Sequence, residues 1–176
     1  PPERIALRPA SPRDSARLMV VRPGDTPTWQ NRVVRDLPEV LERGDCLVVN
    51  DSRVIAARLK GRRIGRGDNE PSIEATLHKR IDGSTWRAFI LGARKVQVGD
   101  VLRFGDEGRV CFLGQLDAQV SHKDENGDVP LSFSFHGPVL DQAISDLGDM
   151  PLPPYIASKR PTDDRDKADY QTMFAD

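Results

Sequence analysis

The chain has 176 residues, enough to bury a sizeable core and to form one or two domains. Charged residues make up 30% of it, but the formal net charge is only −1, so overall charge does not indicate nucleic-acid binding. No apolar run approaches the ~20 residues of a membrane span, and no signal peptide is recognisable, so we expect no membrane association.

The cysteines and histidines argue against disulfide and zinc frameworks. Cys46 and Cys111 lie far apart, each in an apolar, strand-like run. We therefore expect buried thiols in a reducing compartment and a cytoplasmic protein. His78, His122 and His136 are scattered and have no cysteine partners at ligand spacing, so we expect no structural zinc and no other metal site.

The first predicted elements are a hairpin and a short helix. Ser11 to Asp14 forms either a capping box or a turn into a strand, and we favour the turn. Strand-like runs at 17–21 and 29–34 flank the turn residues of 22–25, which predicts a hairpin. Residues 36–44 then predict a short helix that begins at Asp36 and ends at Gly44.

The stretch 44–58 predicts a buried strand that ends in exposed polar chemistry. Residues 46–49 are a short apolar run of the kind found in strands covered on both faces. An amide, a carboxylate, a hydroxyl and a guanidinium follow at the tip of that strand, on Asn50, Asp51, Ser52 and Arg53. Open α/β sheets usually place ligands at such tips. The alternative is an Asx-turn that only closes the strand.

Short β-rich runs separated by Gly, Asp and Asn follow from residue 58. They cover 58–64, 73–80, 86–91, 101–104, 109–115, 119–122 and 131–135. Strands at this spacing predict a small barrel or sandwich. The apolar residues of 138–147 have helical spacing, so a helix is expected after the last strand.

Charge is distributed unevenly along the chain. The segment 52–67 contains six cations and no acidic residue, whereas 163–169 is rich in Asp. A solvated face explains either run, and the basic run is also a candidate RNA surface. The segment Pro151 to Tyr155 is stiff because each proline fixes its own φ. It is either a linker that packs the barrel against its parent domain or a rigid arm that positions Tyr155.

Three segments of the chain resemble the S-adenosylmethionine:tRNA ribosyltransferase-isomerase family of queuosine biosynthesis. Residues 43–59 match that family's Pro/Arg-Gly-Asp-hydrophobic-Val-Asn-Asp-Thr/Ser-Arg-Val-Ile-Pro/Ala-Ala-Arg-Leu run, with Ala56 where Pro is usual. Residues 12–18 resemble its Pro-Arg-Asp-x-Ser-Arg-Leu segment. Residues 148–156, with Asp166 and 170–172, resemble its Met-Pro-Leu-Pro-Pro-Tyr-Ile and Tyr-Gln-Thr block, although the acidic stretch before Tyr170 is loosely matched.

The resemblance implies an α/β domain with a mixed sheet, interrupted by an inserted all-β barrel. On this basis 1–57 and 149–176 are parts of a discontinuous α/β domain, and 58–148 is the inserted barrel with its connecting helix. The chain begins with Pro1 and Pro2 and stops just after a family motif, at Asp176. The family continues with a Pro-Thr-Ala-Gly-Leu-His-Phe-Thr segment, so we interpret the chain as a fragment that lacks part of its site.

The implied reaction moves and isomerises the ribosyl group of S-adenosylmethionine onto 7-aminomethyl-7-deazaguanine in tRNA. It gives epoxyqueuosine and releases adenine and methionine. S-adenosylmethionine is then a co-substrate, no cofactor is expected, tRNA is the macromolecular partner, and we expect a monomer. Without the resemblance, a non-catalytic RNA-binding module would be the leading hypothesis, and a purely structural two-domain protein is a third.

Such a transfer needs a base near the 5′ carbon, a donor for departing adenine, cations for anionic groups and exclusion of water. The candidate catalytic residues implied by the motifs are Asp51, Asn50 and Asp166. The candidate substrate-binding residues are Arg13, Asp14, Arg17, Arg53, Arg58, Tyr155, Tyr170 and Gln171. The candidate tRNA-binding residues are Lys60, Arg62, Arg63 and Arg66.

These candidates also have structural explanations. Arg13 and Asp14 are adjacent, and such a pair is often only an ion pair that ties a turn. Tyr155 and Tyr170 are the only tyrosines, and stacking on a nucleobase or facing a sulfonium is a second interpretation beside packing. The sequence leaves these alternatives open.

Overall fold

The structure, a computed structural model, describes residues 2–105, 114–124 and 127–174. Its strands are β1 Arg17–Val21, β2 Trp29–Val33, β3 Arg58–Ile64, β4 Ser72–Arg80, β5 Thr85–Leu91, β6 Val101–Phe104, β7 Leu116–Val120 and β8 Asp128–Phe133. Its α-helices are α1 Leu37–Val40, α2 Gly137–Leu147, α3 Pro154–Ala157 and α4 Arg165–Asp169. Two compact units result: Pro1–Arg53 with Tyr155–Pro161 and Gln171–Asp176, and Val54–Pro154 with Thr162–Tyr170.

The first unit contains the predicted hairpin. β1 and β2 are antiparallel, with Arg17 opposite Val33 and Val21 opposite Trp29, so this prediction is confirmed. A 3₁₀ turn at Arg13–Ser15 leads into β1, which confirms the turn that we favoured over a capping box. The predicted helix at 36–44 is shorter than expected, because α1 ends at Val40 and a separate turn joins Glu42 to Asp45.

The prediction of a buried strand at 46–49 is wrong. These residues form no strand, and the side chain of Val48 is 86% exposed. A strand needs a neighbour for its backbone hydrogen bonds, and no described residue forms a ladder with this segment. Cys46 is exposed as well, so the expectation of a buried thiol there is wrong. Cys111 lies outside the described residues.

The second unit is built on a closed antiparallel barrel, which confirms the predicted barrel or sandwich as a barrel. The strand order is β3-β4-β5-β8-β7-β6, closed by pairing of β6 with β3. Alternate residues point inward, as Leu102 and Phe104 do on β6, and form one core with Leu140, Ala143 and Ile144 of α2. Of the predicted run 109–115, residues 109–113 lie outside the described residues, and β7 begins at Leu116.

The two ends of the barrel segment lie side by side. Arg58, the first residue of β3, forms an antiparallel bridge with Asp149, just after α2. The Arg58 N–H donates to the Asp149 carbonyl at 3.2 Å, and the Asp149 N–H donates to the Arg58 carbonyl at 2.8 Å. The chain therefore enters and leaves the barrel at one place.

Asp82 closes the turn between β4 and β5, and its hydrogen bonds there predict that the stability of the barrel depends on pH. Its Oδ1 accepts hydrogen bonds from the N–H groups of Ser84 at 2.8 Å and Thr85 at 2.9 Å. The hydrogen bond from the Ser84 backbone is the largest cause that holds the pKa of Asp82 below its ordinary value. A carboxyl with a lower pKa in the folded state stabilises the fold above its unfolded pKa of about 4, and this contribution is lost as pH falls through the folded pKa.

We therefore expect the wild type to be more stable than Asp82→Asn at pH 7, and the difference to shrink as the pH is lowered through the folded-state pKa of Asp82. Asn keeps an oxygen that can accept both hydrogen bonds but carries no charge. Urea unfolding of both proteins across this pH range measures the difference. A difference that does not change with pH would show that the charge on Asp82 contributes nothing.

Candidate functional site

The turn at 50–53 combines a structural amide with an exposed carboxylate. Asn50 Oδ1 accepts a hydrogen bond from the Ser52 N–H at 2.9 Å, which is an Asx-turn. The local-turn interpretation is therefore confirmed for Asn50. Asp51 takes no part in this hydrogen bond, and both Asp51 and Arg53 are exposed. The turn thus holds Asp51 and Arg53 where a ligand can reach them.

Long-range hydrogen bonds join parts of the three motif segments that lie in the first unit. Arg13 Nη1 donates to the Gln171 carbonyl at 2.6 Å, across 158 residues of sequence. Thr172 Oγ1 donates to the Ser52 carbonyl at 2.7 Å, across 120 residues. The segment 171–172 therefore connects the motif at 12–18 to the turn at 50–53. Sequence reasoning missed Ser52 and Thr172 as connectors, although both lie in the quoted motifs.

Arg13 and Asp14 do not tie the turn by pairing with each other. Asp14 Oδ1 lies 3.4 Å from Arg35 Nη2, in a pair whose side chains are about half exposed. An exposed pair of this kind contributes only about 0–1 kcal/mol to stability. Arg17 opens β1 and is exposed. Arg13 is thus fixed by a backbone carbonyl, while Asp14 and Arg17 lie at the surface.

Arg58 is held at the place where the chain enters the barrel. Its Nη2 donates to Glu74 Oε2 at 2.7 Å, and both side chains are mostly buried. The hydrogen bond to Glu74 raises the pKa of Arg58 above its ordinary value, against the opposing effect of burial. Arg58 therefore has an anionic partner already, and this pairing favours a structural role over the predicted role in substrate binding.

Side chains along β3 alternate between the outside and the inside of the barrel, and this alternation separates the cations of the basic run 52–67. The side chain of Lys60 points outward, where its Nζ contacts Asp149 at 2.7 Å. Arg62 also points outward, 3.3 Å from Glu70. Arg63 falls on the inward side, is 7% exposed, and donates to the Asn69 carbonyl at 2.7 Å. The expectation of Arg63 as a surface cation is therefore wrong.

Arg66 remains at the surface beyond the end of β3. Its Nη2 lies 3.3 Å from Asp100 Oδ2 and donates to the Lys95 carbonyl at 2.9 Å. The Arg66 side chain is 38% exposed, so it stays accessible to an anion. Of the four predicted RNA contacts, Lys60, Arg62 and Arg66 keep surface access and Arg63 does not.

Asp166 is fully buried, with 0% of its surface exposed. Its Oδ2 accepts a hydrogen bond from the Asp163 N–H at 2.9 Å, at the start of α4. A buried carboxylate that satisfies a backbone N–H in this way favours a structural role rather than a catalytic one. Tyr155 is exposed on α3 of the first unit, whereas Tyr170 is half-buried after α4 of the second unit.

In 2–105, 114–124 and 127–174, no group of three or more His, Cys, Asp or Glu side chains is arranged to hold a metal ion. Over the same ranges, none of the helices has both the length and the apolar character needed to cross a membrane.

Comparisons with known proteins match nearly the whole chain. Residues 1–176 match a family model described as queuosine biosynthesis protein. The chain is 65% identical over 175 residues to the S-adenosylmethionine:tRNA ribosyltransferase-isomerase of Bradyrhizobium diazoefficiens, covering 99% of this chain and 47% of the relative. It is 66% identical over 171 residues to the protein of that name from Nitrobacter winogradskyi, covering 97% of this chain and 47% of the relative.

A crystal structure of S-adenosylmethionine tRNA ribosyltransferase from Thermotoga maritima is 34% identical to this chain. The match covers 90% of this chain and 50% of that one, with a TM-score of 0.40. The chain spans about half the length of the curated relatives it matches. Because the family model matches the chain from residue 1 to residue 176, the chain belongs to the queuosine biosynthesis protein family.

Proposed function

We propose that the chain is part of an S-adenosylmethionine:tRNA ribosyltransferase-isomerase. The reaction transfers and isomerises the ribosyl moiety of S-adenosylmethionine onto 7-aminomethyl-7-deazaguanine in tRNA. Epoxyqueuosine forms, and adenine and methionine leave. The names of relatives that are about two-thirds identical to the chain support this proposal. S-adenosylmethionine acts as a co-substrate, so the proposal requires no further cofactor.

One observation carries the proposal: the hydrogen bonds that join those parts of the three motif segments that lie in the first unit. Arg13 contacts Gln171, and Thr172 contacts Ser52, so residues distant in sequence occupy one region of this unit. A chain that used these segments only as local turns would not need to connect them across more than 100 residues. Convergence of charged and polar motif residues is what a substrate site requires.

We assign proton removal at the 5′ carbon beside the sulfonium to Asp51. A carboxylate in water is a weak base, and a bound substrate that displaces water from it makes it a stronger one. Asn50 supports Asp51 by fixing the turn through its hydrogen bond to the Ser52 N–H. Arg53 and Arg17 are exposed cations of the same unit and are assigned to anionic groups of the substrates, the methionine carboxylate among them.

We also propose the domain arrangement in which the barrel, 58–148, is inserted into an α/β domain formed by 1–57 and 149–176. The bridge between Arg58 and Asp149 supports it, because an inserted domain must leave its parent domain and return to it at neighbouring points. The surface cations Lys60, Arg62 and Arg66 lie on the barrel side of this junction and are proposed tRNA contacts. The protein is proposed to act as a cytoplasmic monomer.

The experiment that tests the function uses the full-length protein, S-adenosylmethionine and tRNA carrying 7-aminomethyl-7-deazaguanine. We expect adenine and methionine to be released in equal amounts, only when both substrates are present, and the tRNA to gain the mass of the transferred group. Omitting the tRNA is the control. If tRNA is bound but adenine is not released, the protein is instead an RNA-binding module without this activity.

Arg62 points outward and its neighbour Arg63 points inward, so the two residues give a matched pair of variants. Arg62→Ala removes an outward cation, so we expect weaker tRNA binding and a salt dependence whose slope, in log K against log salt, falls by about one unit. Arg63→Ala removes an inward side chain, so we expect an unchanged slope and a lower melting temperature. Fluorescence anisotropy of labelled tRNA between about 50 and 200 mM salt measures both slopes. Equal slopes for wild type and Arg62→Ala would show that Arg62 does not contact the tRNA and is only a solvated surface residue.

A further inference from the structure

The outer face of the barrel carries an open groove across β3, β4 and the end of β5. Its volume is about 610 Å³, and its lining includes Lys60, Arg62, Ser72, Glu74, Leu91 and Lys95. Lys60 is opposite Glu74 on β3 and β4, and Glu74 is opposite Leu91 on β4 and β5. Directly opposed residues present their side chains on the same face of a sheet, so these three share the outer face.

The groove has a cationic excess. Of the lining residues, Lys60, Arg62 and Lys95 are cations and Glu74 is the carboxylate, which Arg58 already neutralises at 2.7 Å. Lys60 and Arg62 make ion pairs of 2.7 and 3.3 Å with partly exposed carboxylates. Such pairs are weak in water, and an incoming phosphate can replace them. In the described part of the chain, no acidic side chain pairs with Lys95.

An aromatic pair lies on the same face. The rings of Phe89 and His78 are stacked, with centroids 4.4 Å apart and planes inclined by 17°. His78 is held in turn, because its Nε2 lies 3.1 Å from Asp128 Oδ1, and Arg87 Nε donates to Asp128 at 2.7 Å. Phe89 is nevertheless 53% exposed. A large apolar ring is thus kept in a fixed position at the protein surface.

The aromatic pair is continuous with the groove along β5. Phe89 and Leu91 are two residues apart on one strand, so both project from the outer face, and Leu91 is 73% exposed. Asp128, which lies 3.1 Å from His78 Nε2, is paired with Arg87 at 2.7 Å, and Arg87 also pairs with Asp124. A ring for a base beside cations for phosphates is the combination that unpaired nucleotides require.

We infer that this face of the barrel binds unpaired nucleotides of the tRNA, with a base stacked on Phe89 and backbone phosphates at Lys95, Arg62 and Lys60. The identity of the RNA rests on the proposed function, whereas the preference for unpaired nucleotides rests on Phe89. In a duplex stem the faces of the bases are stacked inside the helix, so a stem can use the cations of the groove but not the ring.

The test measures binding of the full-length protein to two labelled RNAs by anisotropy: an anticodon stem-loop, and a duplex of the same stem without the loop. We expect Phe89→Ala to weaken stem-loop binding about fivefold or more and to leave duplex binding unchanged. Phe89→Trp should keep the affinity for the stem-loop. Lys95→Ala should weaken binding of both RNAs and lower the slope of the salt dependence by about one.

Val139→Ala is the control, because Val139 is also an exposed apolar side chain of this unit but lies on α2. It should change neither affinity. Equal stem-loop affinity for wild type and Phe89→Ala would overturn the inference, and so would an equal loss for both RNAs. Self-association in sedimentation that Phe89→Ala abolishes, without a change in RNA affinity, would assign the face to a second copy of the chain instead.

Adenine release, measured on the same wild-type protein, separates this inference from the proposed function. Release of adenine together with unchanged RNA binding by Phe89→Ala would overturn the inference alone. Selective loss of stem-loop binding by Phe89→Ala, in a protein that releases no adenine, would overturn the proposed function alone.

Discussion

Asp51→Asn in the full-length protein should lower the single-turnover rate of adenine release by about 100-fold or more, the usual scale for a positioned acid–base group. Affinities for S-adenosylmethionine and tRNA should stay nearly normal, because the lost interaction belongs to the transition state. The fold gives no competing reason for a loss of activity. The turn is closed by Asn50, whose Oδ1 accepts the Ser52 N–H, and not by Asp51.

Two neighbouring substitutions are the controls for Asp51→Asn. Ser52→Ala keeps the backbone carbonyl that accepts the hydrogen bond from Thr172 Oγ1, so the connection between the motif segments survives and the rate should change little. Asn50→Asp keeps an oxygen that can close the Asx-turn, and it should preserve folding. A near-wild-type rate for Asp51→Asn would remove Asp51 from the catalytic residues and leave it as an exposed loop carboxylate.

The barrel was predictable because the signals that mark its strands lie within short stretches of sequence. Turn residues divide the sequence at regular intervals, and alternation of apolar residues marks the inward side of each strand, so the bounds of β3 and β6 match those predicted. The same alternation, counted from buried Leu59, places Arg63 inward. The prediction missed this because it grouped the cations by density along the chain and not by their side of the strand.

The candidate site was less predictable because its contacts are long-range. The apolar run 46–49 has the composition of a buried strand, yet composition cannot supply the neighbouring strand that burial requires, and the run is exposed. The hydrogen bond from Arg13 to Gln171 spans 158 residues and leaves no local periodic signal. The burial of Asp166 in its short helix was likewise hidden, since an acidic run normally indicates a solvated face.

Gly148→Ala should destabilise the barrel by about 3 kcal/mol or more, at the upper end of the usual range for overpacking. Gly148 follows α2 and has φ −84°, which alanine adopts easily, so the cost comes from space and not from backbone strain. An added Cβ would lie 1.8 Å from the Ala56 carbonyl oxygen and 2.6 Å from the Ile144 carbonyl oxygen. Both obstacles are backbone atoms, which cannot rotate away as a side chain would.

Because Gly148 lies beside the junction of the two ends of the barrel segment, the substitution should destabilise the whole barrel. Moving Ala56 and Gly148 apart also separates Arg58 from Asp149, whose backbone bridge joins the two ends of the barrel segment.

Gly83→Ala is the matched control, because a Cβ there meets nothing within 4 Å, and the stability of this variant should differ from the wild type by no more than about 0.5 kcal/mol. Trp86 packs against the barrel core and Trp29 lies on β2, so fluorescence in a Trp29→Phe background reports barrel unfolding. Urea denaturation followed by that signal should give a lower midpoint for Gly148→Ala than for Gly83→Ala. Equal midpoints would mean that Gly148 and Ala56 can move apart without a loss of stability. The paired ends of the barrel segment would then contribute little to the stability of the closed barrel.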